Sequence, residues 1–182
     1  MGFKRIETGI EGLVILEPDV FGDHRGFFKE TYNQPAFEQL GIDAEFVQDN
    51  VSFSRAGILR GLHFQAPPFA QGKLVTVLQG EVLDVAVDIR NGSPTYGEYR
   101  SVVMTGENHR MFFVPPGFAH GFLVRSETCY FCYKCSGTYN RESEGGLLWN
   151  DPALKIDWGI EDPTLSDKDK VYPSFQDFDS PF

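Results

Sequence analysis

Eight short runs of apolar or alternating residues, 45–53, 58–64, 73–78, 82–89, 99–104, 111–114, 121–124 and 130–135, fill the middle of this chain, and turn chemistry separates them. The punctuation is explicit at Gln79-Gly80-Glu81, Asn91-Gly92-Ser93-Pro94, Gly106-Glu107-Asn108 and Pro115-Pro116-Gly117. Runs this short cannot supply a helical core, because a helix needs about ten residues of 3.6-residue periodicity to bury a stripe, whereas a strand buries a face in far fewer. The expected fold is all-β, a jelly roll or closed barrel. With 17 Phe, 19 Gly and 11 Pro among 182 residues, the chain has aromatic bulk to fill a sandwich and turn residues to connect it.

The flanks are read in the same way. Residues 13–18 form an opening strand ended by Pro18, 22–26 a turn and 27–32 a second strand. Residues 35–41 are the best short peripheral helix, with Pro35 near the start, Gly41 after the end, and Phe37 and Leu40 three apart. Beyond Gly137 the chain turns rich in Asp, Pro, Gly and Trp without periodicity, and an irregular C-terminal tail wrapped on the barrel is expected. The expected organisation is a single domain over 1–182, with N-terminal strands about 12–32, a barrel core about 45–136 and the tail 137–182.

A net charge of −10 argues against a nucleic-acid groove, which needs a basic face. The first residues, Met1-Gly2-Phe3-Lys4-Arg5-Ile6-Glu7, hold no apolar core of signal-peptide length, and no stretch is long enough to span a membrane, so a cytoplasmic location is expected. Cys129, Cys132 and Cys135 have a spacing that invites a metal reading, but they fall in a strand-like run, where the first and last share one face and Cys132 takes the other. Reduced thiols used as small apolar fillers are expected.

His63, in Leu59-Arg60-Gly61-Leu62-His63-Phe64-Gln65, is the residue most able to do chemistry. An imidazole near fixed cations and a phenol could remove a proton next to a carbonyl, with Lys73 stabilising the enolate oxygen. Inverting a carbon also needs an acid on the other side, and alternation within 129–135 puts Phe131 and Tyr133 on one face. Asp169 could orient the imidazole if the tail folds back. Each has a structural alternative: a core histidine, a core tyrosine, a solvated charge cluster around Asp169.

Pro115-Pro116-Gly117-Phe118-Ala119-His120-Gly121 resembles the second cupin motif. In metal cupins that His joins two His and a Glu of an earlier motif. Here Gln65 stands where the second His is needed and Lys73 lies where an acidic ligand is expected, so no metal is expected.

Several ordered blocks together, Gly22-Asp23-His24-Arg25-Gly26-Phe27-Phe28-Lys29-Glu30, Phe46-Val47-Gln48-Asp49-Asn50, 59–65, Gly80-Glu81-Val82-Leu83-Asp84-Val85-Ala86-Val87-Asp88, 116–122, Trp149-Asn150-Asp151-Pro152 and Leu165-Ser166-Asp167-Lys168-Asp169, resemble the dTDP-4-dehydrorhamnose 3,5-epimerases. The resemblance implies a cupin-type jelly roll that inverts C3 and C5 of a dTDP-4-keto-6-deoxyglucose without a cofactor. It implies His63 as base, Asp169 as its partner, Tyr133 as acid and Lys73 on the enolate, with Arg60, His120 and Lys168 on sugar or phosphate. It further implies Arg25, Glu30, Gln48 and Asn50 at the nucleotide, in part from a neighbouring subunit, Tyr139 stacked on thymine, and Glu144 as another contact. A homodimer with exchanged N-terminal strands is implied too. Three alternatives are an epimerase acting at one carbon only, a metal-dependent cupin oxygenase, and a non-catalytic sugar-nucleotide binding module.

Overall fold

The computed structural model describes residues 2–182. Its strands, in chain order, are β1 (Phe3–Glu7), β2 (Val14–Pro18), β3 (Val20–Asp23), β4 (Gly26–Lys29), β5 (Gln48–Arg55), β6 (Leu59–Gln65) and β7 (Lys73–Gln79). They continue with β8 (Glu81–Asp88), β9 (Tyr99–Thr105), β10 (Met111–Val114), β11 (Phe118–Val124), β12 (Thr128–Cys135) and β13 (Glu144–Gly146). One helix, α1 (Gln34–Gln39), and one 3-10 turn (Arg141–Ser143) complete the regular structure. The all-β expectation is borne out.

Two antiparallel sheets face each other. One has six strands in the order β1-β2-β10-β7-β12-β5, the other five in the order β13-β6-β11-β8-β9. Period-two alternation sorts their side chains. Val75 and Val77 on β7, Phe112 and Val114 on β10, and Cys129 and Phe131 on β12 meet Val82 and Ala86 on β8 and Phe118 and Phe122 on β11 between the sheets. Cys132 points the other way, as alternation requires, and the thiols are free.

Each outer face has its own cover. Phe37 of α1 packs with Val14, Leu16, Leu74, Met111 and Phe113 on the six-stranded sheet. The helix starts where Asn33 accepts from the Ala36 amide at 3.3 Å. On the five-stranded sheet the tail supplies Leu147, Trp149, Leu154 and Trp158 to a buried cluster with Leu62, Val85, Val87 and Leu123. Burying each such side chain stabilises the fold by roughly 1.5–3 kcal/mol. The tail is largely irregular, as expected, yet it adds β13 to that sheet, paired with β6.

Some boundaries differ from the sequence reading. β1 has a polar, half-buried edge-strand sequence and carries no apolar alternation to announce it. β3 and β4 form a hairpin of their own, exposed over almost its whole length, so neither face leaves a burial pattern. β11 starts at Phe118, three residues earlier than expected, because the chain leaves the Pro115-Pro116-Gly117 turn already extended.

Candidate active site

A cavity of about 450 Å³ opens between the two sheets and the tail. A smaller lobe of about 130 Å³ shares His63, Lys73, Tyr133 and Glu144 with it and extends to Gln48, Asn50 and Tyr139. Arg60, His120, Lys168 and Asp169 line the larger lobe. Eleven of the thirteen residues singled out from sequence therefore border one continuous region. Arg25 and Glu30 line neither lobe; Arg25 is exposed and paired with Asp23 on the hairpin.

The five-stranded sheet contributes the histidines. Arg60 and His63 are three apart, so regular alternation would send them to opposite faces. A register shift between β6 and β11 prevents this: His63 opposes His120 while Arg60 opposes Phe122, leaving two residues of β6 against one of β11. The bulge turns both side chains into the cavity. Gly61 sits in it with φ of 139°, and a Cβ there would come within 2.5 Å of Gly121 Cα.

His63 Nε2 lies 2.6 Å from Oδ1 of Asp169, whose side chain is only 2% exposed. Burial alone would raise the Asp169 carboxyl, but the hydrogen bond and charge of His63, with help from Ser166 and the Gly61 amide, hold it below its ordinary value. A carboxylate only accepts, so Nε2 carries the hydrogen and Nδ1 is left with the lone pair. The Tyr172 ring stands edge-on to the imidazole at 5.7 Å between centroids.

The six-stranded sheet faces these groups with Lys73 on β7 and Tyr133 on β12. Burial pushes the Lys73 ammonium down, and the carboxylates of Asp84 and Glu144 partly restore it. Burial raises the Tyr133 phenol, which keeps its proton at neutral pH. Ser54 on β5 accepts from Arg60 Nε at 3.1 Å. At the mouth, Lys168 donates to Glu144 at 2.6 Å and Tyr139 to the same carboxylate at 3.3 Å, tying the tail to the loop after β12.

Gln65 is a clip rather than a ligand. Its amide donates to Phe69 O at 2.7 Å and Thr138 O at 3.3 Å and accepts from the Asn140 amide at 2.8 Å. Among the described residues no three His, Cys, Asp or Glu side chains are grouped to hold a metal ion.

The sequence reading missed Asp84, which is fully buried on β8 with Oδ1 2.8 Å from His120 Nε2. The signal was present: a lone carboxylate inside Val82-Leu83-Asp84-Val85-Ala86-Val87, a run otherwise apolar on both faces.

A two-sheet jelly roll with a buried histidine–carboxylate pair, a desolvated lysine and a phenol around one cavity is an acid–base enzyme on a cupin-type scaffold. A sequence profile described as dTDP-4-dehydrorhamnose 3,5-epimerase matches residues 7–177. The chain belongs to the dTDP-4-dehydrorhamnose 3,5-epimerase family and is an isomerase, as the motifs implied. It is 51% identical to the dTDP-4-dehydrorhamnose 3,5-epimerase of Shigella flexneri over 96% of this chain and 97% of that one. The crystal structure of the Elizabethkingia anophelis dTDP-4-dehydrorhamnose 3,5-epimerase superposes with a TM-score of 0.93 at 49% identity, covering 97% of this chain and 98% of the other. The Legionella pneumophila dTDP-6-deoxy-D-glucose-3,5-epimerase, solved in complex with dTDP-4-keto-L-rhamnose, gives a TM-score of 0.94 at 49% identity, with coverages of 97% and 95%.

Proposed function

We propose that this chain inverts C3 and C5 of dTDP-4-dehydro-6-deoxy-D-glucose, giving dTDP-4-dehydro-L-rhamnose, by proton transfer through an enolate. His63 Nδ1 removes the proton alpha to the C4 ketone while Asp169 holds the imidazole and stabilises the imidazolium. Lys73 takes the charge that develops on O4. Tyr133 returns a proton from the opposite side, and exchange with solvent then deprotonates His63 and reprotonates the phenolate before the same steps act at the second carbon. Arg60, His120 and Lys168 hold sugar and phosphate, and Gln48, Asn50, Tyr139 and Glu144 line the nucleotide end.

One observation carries this reading: base and acid come from opposite sheets of a single cavity, His63 from β6 and Tyr133 from β12. A planar enolate held between them is open to deprotonation on one face and protonation on the other.

The reading extends to a homodimer acting in the cytoplasm. Val20, Phe21, Phe27 and Phe28 are 39–59% exposed on the β3–β4 hairpin, and Val51, Phe53 and Tyr130 are exposed on the outer face of β5 and β12. Exposed apolar side chains in this number favour a covering partner. Exchange of N-terminal strands would carry Arg25 and Glu30 toward the partner's nucleotide site, Arg25 lying on the exposed hairpin.

The test is solvent exchange. Incubating dTDP-4-dehydro-6-deoxy-D-glucose with the protein in heavy water should place deuterium at C3 and C5 with net inversion at both. Label at one carbon reduces the activity to a single-site epimerase. Bound substrate without label at either removes the catalytic reading.

A further inference from the structure

Asp84 is the most heavily buried ionisable group near the cavity, and the mechanism above gives it no part. Its side chain is fully buried, Oδ1 pairs with His120 Nε2 at 2.8 Å, and Oδ2 is buried without a hydrogen-bond partner. A buried carboxylate oxygen of this kind calls for a compensating partner or charge nearby. β8 directs Asp84 to the inner face alongside Val82 and Ala86, toward the space that Lys73 enters from the facing sheet.

We propose that Asp84 is a positioning residue: it turns His120 so that Nδ1, carrying the lone pair, serves the cavity as an acceptor, and it supplies the counter-charge that keeps Lys73 a cation. His120 lines the cavity and spends Nε2 on Asp84, so Nδ1 is the polar atom it can offer a sugar hydroxyl. Lys73 would otherwise sit desolvated. Its strand neighbours on β12 are Tyr133 and Cys135, the latter its register partner, and neither is charged at neutral pH. From other elements it meets His63, Glu144 and the cation Lys168, which opposes it. Asp84 and Glu144 are the carboxylates acting on it, and Glu144 is already engaged by Lys168 at 2.6 Å. Burial, in turn, raises the Asp84 carboxyl, while His120 and Lys73 pull it back.

The inference rests on the epimerase reading for its catalytic consequence, and the experiment separates the two. Asp84→Asn keeps an amide oxygen to accept from His120 but removes the charge. With dTDP-4-dehydro-6-deoxy-D-glucose as substrate, kcat should fall by roughly tenfold to a hundredfold, and the alkaline limb of its pH profile should move down by about one unit. KM and dTDP affinity should stay within about threefold. Asp84→Ala also frees the His120 ring, so KM should rise in addition. Unchanged kcat and an unmoved alkaline limb in Asp84→Asn would overturn the proposal. Imidazole nitrogen NMR on the wild-type protein needs no variant to fold: His120 should be the Nε2–H tautomer near neutral pH, and an Nδ1–H tautomer would overturn it. A wild-type protein that shows that tautomer yet exchanges no deuterium into substrate would sink the epimerase reading alone.

Discussion

His63 and His120 are cross-strand partners in one sheet, and each ring has its Nε2 on a different buried carboxylate, Asp169 at 2.6 Å and Asp84 at 2.8 Å. The two pairs are not equivalent. Asp169 comes from the tail and is held below its ordinary value despite burial, whereas Asp84 lies in the strand core and is raised by it. The His63 side chain is 22% exposed to the cavity against 7% for His120. A base must reach substrate, and of the two rings His63 is the one more open to the cavity.

Asp169→Asn should therefore cost kcat on the order of 10²–10⁴-fold with little change in KM. An amide oxygen can still accept from Nε2, but it carries no charge to stabilise the imidazolium that forms when His63 takes the proton. Steady-state kinetics with the keto sugar checks this, and dTDP binding measured in parallel should be preserved. A loss below about threefold in kcat would show that the imidazolium is stabilised by something other than Asp169.

Tyr133→Phe separates removal of a proton from its return. The phenol is raised by burial and stays protonated at neutral pH, as the proposed acid must be. Deuterium exchange catalysed by His63 should survive in part, while net inversion falls by roughly 10²–10⁴-fold. Equal loss of exchange and inversion would move the acid role to another group.

The strands β7, β10 and β12 were legible because apolar alternation and turn residues agree there, and with β12 read, the inward direction of Tyr133 followed from parity alone. His63 and Lys73 were legible as chemistry, but not their geometry. The bulge that turns Arg60 and His63 to one face depends on how closely Gly61 meets Gly121, a tertiary contact with no local signature. Asp169 could not be placed, because its approach to His63 is fixed by tail side chains that pack on the outer sheet through Trp149, Leu154 and Trp158, more than ten residues upstream. The turn at 22–26 and a strand at 27–32 were legible, but the β3–β4 hairpin buries neither face in this chain, so burial gave nothing to fix its bounds at Val20–Asp23 and Gly26–Lys29.

Exposure on that hairpin yields a prediction about assembly. Phe28 is 59% exposed, and Phe28→Asp would place a charge in the proposed contact. Light scattering should show a dimer for the wild type and a monomer for the variant. Affinity for dTDP should weaken by about tenfold, as Arg25 is withdrawn from the neighbouring site. A monomeric wild type with full activity would remove both the dimer and the role of Arg25 across it.

Asp88 predicts where acid weakens the fold. Burial would raise it, but donors from Arg90 (2.9 Å from Nε, 2.7 Å from Nη2), Ser93 (2.6 Å), Thr95 (2.6 Å) and the Arg90 amide (3.0 Å) bring it down to about 2. A carboxyl lowered on folding contributes its full stability above the ordinary value of 3.8 and loses it as pH falls toward about 2. That contribution is at most about 2 kcal/mol. Urea unfolding of wild type and Asp88→Asn should differ near neutrality and converge as pH falls through that window. A constant difference down to the lowest pH would place the role of Asp88 in packing rather than charge.

Gly61 and Gly92 together separate backbone strain from site geometry. Both have positive φ, 139° and 78°, so alanine is strained at either. At Gly92 the added Cβ meets nothing within 4 Å, whereas at Gly61 it meets Gly121 Cα at 2.5 Å and His120 O at 3.1 Å. Gly92→Ala should lower stability by about 1 kcal/mol and leave kcat unchanged. Gly61→Ala forces β6 and β11 apart at the bulge, so it should cost more than about 2 kcal/mol and lower kcat at least tenfold in protein that remains folded. Thermal unfolding and kinetics on both variants decide the matter: a Gly61→Ala protein that is destabilised but fully active would mean that the bulge serves the sheet and not the direction of Arg60 and His63.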